Sequence, residues 1–146
     1  DPHRAGVNLN WGLALSALEK HEEAFEQFNK AIEKDPEYVE AYIMAGHCLY
    51  TQKKYDEAIE TFQKIIDFEP ENSFIYYNWG HVLYVQGKYQ EAVDVYVKGM
   101  EIFANEPLDL AQLLGDEELV KNPEQVFPIL KEYFEDLLNM EGRLNE

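Results

Sequence analysis

Ala45-Gly46-His47-Cys48-Leu49, followed nine residues on by Ala58-Ile59-Glu60-Thr61-Phe62, decides the reading of this chain. The same spacing of small and large residues occurs once before and once after it. Gly12, Gly46 and Gly80 stand 34 residues apart, as do Ala24, Ala58 and Ala92, and Phe28, Phe62 and Tyr96. Self-similarity at a fixed period of this length marks a repeat architecture, in which each copy is one supersecondary unit that needs neighbours to bury its apolar face.

Working outward, copy one runs from Ala5 to Tyr38, with Trp11-Gly12, Leu15, Ala24, Phe28, Ala31 and Pro36. Copy two runs from Val39 to Asn72, with Tyr42, Leu49 and Pro70 around the quoted stretch. Copy three runs from Ser73 to Glu106, with Tyr76, Trp79-Gly80, Leu83, Ala92 and Tyr96. Each copy divides into two helices. In copy two these are expected at about Glu40–Gln52 and Asp56–Glu69, joined through Lys53-Lys54-Tyr55. Pro36 and Pro70 close the second helix of their copies, because proline does not continue a helix interior. Copy three has Ala104 at that place, so its second helix is expected to run longer. Gly12 and Ala24, with their equivalents, are expected where the two helices cross, since a large side chain would hold the axes apart. Trp11, Phe28, Tyr42, Phe62, Trp79 and Tyr96 are expected to fill the space around the crossings.

This pattern resembles the tetratricopeptide repeat (TPR), over residues 5–106. The resemblance implies an all-α fold, a right-handed α-solenoid of antiparallel helix pairs. Residues 1–4 are expected as a short tail, 5–38, 39–72 and 73–106 as three repeats, and 107–146 as capping helices. Within the cap, Leu108–Leu114 reads as a short helix stopped by Gly115, and Asp116-Glu117-Glu118 as a helix start favoured by the macrodipole. Asn122-Pro123-Glu124-Gln125 reads as a second start, with Asn as N-cap and proline in the first turn. Val126, Ile129, Leu130, Tyr133, Phe134, Leu137 and Leu138 follow at helical spacing, and Pro128 is expected to kink or delay that helix. The segment either covers the end of the repeats or serves as a partner-binding or self-associating helix; with 3 basic and 11 acidic residues over 106–146, its outer face is strongly solvated.

In TPR proteins the concave face is lined mainly by the first helix of each repeat. Carried onto this chain, the resemblance implies partner-binding residues Leu9, Asn10 and Leu13 in copy one, Ile43, Met44, His47 and Tyr50 in copy two, and Phe74, Tyr77, Asn78, His81 and Tyr84 in copy three. A merely solvated face would carry Lys, Glu and Gln, whereas this one is apolar and rich in tyrosine, as binding patches are. Asn10 and Asn78 suit the main chain of a guest peptide. The expected role is therefore a protein-interaction module, adaptor or chaperone-like, that takes a peptide or helix. The alternative occupants of the face are the chain's own C-terminal helix or another copy, which would make a homo-oligomerising scaffold. The carboxylate clamp by which one TPR subclass holds heat-shock chaperone tails needs Lys, Asn and Arg. The matching positions are Leu9, Leu13, Met44, Phe74 and Asn78, and none keeps the required residue. The acidic three-repeat chaperones of type III secretion translocators share the size, repeat number and apolar groove.

Composition narrows the partner. With 12 basic and 29 acidic residues the chain carries a formal net charge of −17. Nucleic acid and anionic membrane surfaces are disfavoured, and a basic or amphipathic protein partner or peptide is favoured. The single cysteine, Cys48, excludes an internal disulfide, is expected as a small core residue, and is compatible with a cytoplasmic location. His47 and His81, even with Glu40, fall short of the ligand set a metal needs. No Gly-rich phosphate loop and no nucleophile or metalloprotease motif is present, so no catalytic residue, cofactor or metal is expected.

Overall fold

The computed structural model describes residues 2–140; Asp1 and residues 141–146, the end of the expected cap, lie outside the described residues. The chain is all-α, with no strand among the described residues, and divides into two compact units, Asp1–Pro70 and Glu71–Glu146.

Unit one holds two helix pairs: α1 (Pro2–Ala17) with α2 (His21–Lys34), and α3 (Val39–Thr51) with α4 (Tyr55–Phe68). Residues 2–4, expected as a tail, are the first turn of α1. The core of this unit is built from Ala5 and Leu9 of α1, Ala24, Phe28 and Ala31 of α2, and Ala41, Ala45 and Cys48 of α3. Cys48 is the small core residue the repeat requires, and burial raises its thiol pKa, which keeps it a thiol.

Unit two holds α5 (Ser73–Val85) and α6 (Tyr89–Ala104), then the short α7 (Leu110–Leu114) and α8 (Glu117–Val120), and finally α9 (Pro123–Met140). α6 is longer than α2 and α4, as the missing proline implies, and ends in a left-handed Asn105. Gly115, also left-handed, closes α7. The Asp116 carboxylate caps α8 by accepting from the N–H groups of Glu118 at 2.9 Å and Leu119 at 3.0 Å. Asn122 accepts from the Gln125 N–H at 3.4 Å and so opens α9. The expected delay at Pro128 does not occur: α9 starts at Pro123 and runs through Pro128. As the sixth residue of the helix, Pro128 removes the N–H that would have bonded the Glu124 carbonyl and crowds that carbonyl with its ring, a cost confined to the first turn.

The glycines of the repeat act on aromatic rings more than on the crossing alanines. A Cβ on Gly12 would lie 2.5 Å from the Phe28 ring, and one on Gly46 2.5 Å from the Phe62 ring; at Gly80 the clash is with Tyr96. Each glycine is therefore the floor on which the ring of its own helix pair lies. Trp11, expected to fill this crossing, does not: it is exposed on α1. Tyr42 and Trp79 are half-buried.

The turns inside the pairs are built alike. Glu19, Lys53 and Gly87 all adopt positive φ, at 59°, 61° and 79°. The following N–H groups of Lys20, Lys54 and Lys88 donate back to the carbonyls of Leu15, Leu49 and Leu83 at 3.0, 2.8 and 3.0 Å. This is the Schellman closure, for which glycine at the left-handed position is best suited. Only the third repeat has it. Lys53→Gly is accordingly expected to raise unfolding stability by about 0.5–1 kcal/mol in urea titrations, while Gly87→Ala should lower it by a similar amount.

Candidate functional site

The expected site residues sort by their place in the repeat. Leu9, Ile43 and Tyr77 are equivalent, as are Asn10, Met44 and Asn78, then Leu13, His47 and His81, then Tyr50 and Tyr84, whose counterpart in the first repeat is Ser16.

In unit one, Leu9 is 3% exposed and belongs to the core with Ala41 and Ala45 of α3. This corrects the expectation that it lines an open face. Ser16, one further step along the same stripe, lies with its hydroxyl 4.0 Å from the Cys48 sulfur on α3. Two positions of α1 are thus turned to the helix stacked beside it. Asn10 is exposed, and Leu13 and Met44 are half-buried with their inner sides against the core. His47 is half-buried, with its imidazole edge-on to Phe62 at 5.9 Å. Ile43 is half-buried, and Tyr50 packs its ring against Tyr55 at 5.7 Å.

In unit two, the equivalents of Leu9 and Ser16 are Tyr77 and Tyr84, and both lie against α9. Tyr84 stacks on Phe127 at 4.2 Å and 7°, and Tyr77 meets Phe134 edge-on at 5.7 Å. The fully buried Tyr96 of α6 joins them, 4.4 Å from Phe127 and 5.4 Å from Phe134. α9 therefore stacks on α5 and α6 as α3 stacks on the first helix pair, through the same two repeat positions. Gly99 makes room for it. Repeats one and two have Ala31 and Ile65 at this position, and a Cβ on Gly99 would come within 2.8 Å of the Phe134 ring. Phe74 stacks on Tyr77 at 6.2 Å, and Asn78 donates its side-chain N–H to the Phe74 carbonyl at 3.0 Å. Phe74, Asn78 and His81 are half-buried.

A polar link helps to tie α9 down. The Tyr77 hydroxyl donates to Glu135 at 2.5 Å, and Lys131 pairs with the same carboxylate at 3.1 Å. Burial, then the bond to Glu135 and its charge, push the Tyr77 phenol well above its ordinary value. Burial alone would raise Glu135, but the Tyr77 hydroxyl, Lys131 and His81 together hold its carboxyl below the usual carboxylate value.

A second polar cluster had no counterpart in the repeat reading. Asn8, where the other repeats have Tyr42 and Tyr76, is buried, donates to Gln27 at 2.9 Å and accepts from the Lys34 ammonium. Only the break in the tyrosine column at this position signalled it. Among the described residues there is no grouping of three His, Cys, Asp or Glu side chains that would hold a metal ion, and no helix is long and apolar enough to cross a membrane.

Two tetratricopeptide repeat models match the sequence, one over residues 15–78 and one over residues 77–97. The chain belongs to the tetratricopeptide repeat family. Its fold class is accordingly the all-α TPR solenoid class. Solved TPR structures agree. MamA is similar at a TM-score of 0.66 and 21% identity, over 99% of this chain and 82% of that one. The first TPR of Spaghetti (RPAP3), bound to the HSP90 peptide SRMEEVD, gives 0.65 at 20% identity, over 73% of this chain and 84% of that one. The type III secretion translocator chaperone SycD of Yersinia enterocolitica gives 0.66 at 18%, over 88% and 94%. At these identities the likeness is one of fold. No curated protein sequence matches the chain.

The Tyr77–Glu135 link makes the docking of α9 depend on pH. Because Glu135 has a lower pKa folded than unfolded, its stabilising contribution is complete above the ordinary carboxylate value of 4.5 and is lost as pH falls through the folded value. Wild type should exceed Glu135→Gln in urea stability at neutral pH, and the gap should close in acid. A gap that does not change with pH would contradict the link.

Proposed function

We propose that this TPR chain is a non-enzymatic protein-interaction module, adaptor or chaperone-like, that docks an extended or helical peptide of basic and apolar character on the α1–α3 face of unit one. The observation that carries the reading is the division of labour among repeat positions. Leu9 is turned into the stack, whereas Asn10, Leu13, Met44 and His47 stay at the surface.

That surface set is apolar or neutral in a chain of net charge −17. Leu13 and Met44 offer an apolar seat anchored on the core beneath, and methionine adapts to irregular partners. Asn10 offers both a donor and an acceptor to a peptide backbone. Ile43 and Tyr50 flank the set, and Phe74, Asn78 and His81 are its counterparts in unit two. The surrounding acid attracts a basic peptide and makes its association sensitive to salt. Tyr77 and Tyr84, by contrast, are engaged by α9, so in this reading they hold the fold and leave the guest to the other positions. The same positions argue against recognition of a terminal carboxylate, since Leu13, Met44 and Phe74 provide no cation for it.

The test is selection from a random displayed-peptide library, followed by affinity measurement in fluorescence anisotropy. Selected peptides should combine Lys or Arg with large apolar residues. Leu13→Ala with Met44→Ala should weaken them by about tenfold or more, measured at a temperature where circular dichroism shows the variant folded, since both side chains also rest on the core. Peptides without that character, or affinities unmoved by the double variant, would refute the reading.

A further inference from the structure

The connection from α6 to α9 is the part of the chain that the repeat does not explain. Residues 35–38 join α2 to α3 and residues 69–72 join α4 to α5, whereas residues 105–122, with α7 and α8, join α6 to α9. The matching repeat models end at residue 97. Connections held on a rigid scaffold are where binding residues concentrate. The two short helices carry Leu110, Leu113, Leu114, Leu119 and Val120, yet no residue of either is buried. The segment is too short to make a core of its own, and its apolar side chains are only half-covered.

Between α6 and this segment lies a trough of about 570 Å³. Val97 of α6, Leu108, Leu110 and Ala111 around the start of α7, and Val120 of α8 form its apolar lining. Asp94 of α6 and Asp109, the N-cap of α7, add two carboxylates. Asp94 accepts from the Gln90 amide at 2.9 Å and Asp109 from the Gln112 N–H at 3.2 Å. A carboxylate has room for more donors than one, so both can still receive a guest's. Among the described residues no Lys or Arg lines the trough. The lysines next to it in sequence are engaged elsewhere: Lys98 lies over the Tyr76 ring at 5.8 Å, and Lys121 pairs with Glu118 at 2.6 Å.

We infer that this trough is a second protein-docking site, and that its occupant is a partner segment in which an Arg or Lys adjoins a large apolar side chain. The apolar lining takes the hydrocarbon, including the stem of the basic residue itself. Asp94 and Asp109 take the charge through charge-assisted hydrogen bonds. Depth favours a partner's side chains over a free small molecule: no lining residue is buried, so the trough does not enclose a ligand as small-molecule pockets do. The site is built from α6 and the α7–α8 connection of unit two, so it stands apart from the peptide reading of the α1–α3 face.

The test uses Asp94→Asn with Asp109→Asn, which removes both charges while asparagine keeps the cap of α7; both residues are exposed, and circular dichroism verifies the fold. Random displayed peptides are depleted on this double variant, selected on wild type, and measured by fluorescence anisotropy. Survivors should place Arg or Lys beside Leu, Ile or Phe. They should bind the double variant about tenfold more weakly, weaken with added salt, and bind Leu13→Ala with Met44→Ala as they bind wild type. A loss on that second pair as well would seat the peptides on the α1–α3 face and overturn the inference, as would a selection with no survivors or survivors without a base. n-Butylguanidinium that binds as tightly as the peptides would make the trough a small-molecule site and overturn it too. So would light scattering in which wild type is a dimer and the double variant one chain, which would assign the trough to a second copy.

Discussion

The close approach of an aromatic ring to a glycine backbone is the constraint on which the rest of this molecule depends. Phe28 over Gly12, Phe62 over Gly46 and Tyr96 over Gly80 set the distance between the helices of each pair. That distance in turn decides which side chains face inward. Interiors are packed as densely as organic crystals, so a ring lying on a backbone leaves no slack to be taken up elsewhere. Each pair built this way still has an apolar flank, and the flank is what draws the next helix.

How that flank is covered separates structural from available residues. α3 covers α1 at Leu9 and Ser16; α9 covers α5 at Tyr77 and Tyr84. In unit two the covering is aromatic, with Phe127 and Phe134 interleaved among Tyr77, Tyr84 and Tyr96, and Gly99 yields the room it needs. A tyrosine at such a position can be a binding residue or a packing residue, and its neighbours decide which. Here the buried face of α9 makes it a packing residue. What remains at the surface is a narrower set, turned away from both stacking contacts.

Most of the fold was legible in the sequence because its cause is periodic. A 34-residue spacing of Gly, Ala and Phe or Tyr reports the same crossing three times, and Pro36, Pro70, Gly115, Asp116 and Asn122 punctuate the helices by local chemistry that needs no tertiary context. The site was less legible. Leu9 and Asn10 are adjacent in the chain and differ by one helical step of about 100°, yet one is core and the other surface. A pattern borrowed from other repeats does not resolve that step. Trp11 misled for the opposite reason: its equivalent Ala45 is buried in the core, whereas Trp11 is exposed on α1. The Asn8–Gln27–Lys34 cluster replaces a tyrosine column with hydrogen bonds, a substitution whose geometry no periodicity encodes. Nor did Glu19 and Lys53 announce their left-handed turns, since only Gly87 has the residue that such a turn prefers.

Two glycines on helices allow the ring-on-backbone constraint to be measured against itself. Gly6 of α1 has nothing within 4 Å of the place a Cβ would occupy, whereas Gly46 of α3 has the Phe62 ring there. Helix propensity favours alanine equally at both, by about 1 kcal/mol. In paired urea denaturations, Gly6→Ala should therefore stabilise the chain by about 0.5–1 kcal/mol, and Gly46→Ala should destabilise it by about 2 kcal/mol as the ring is displaced. If both substitutions stabilise alike, the rings do not rest on the glycines and the spacing of the helix pairs has another cause.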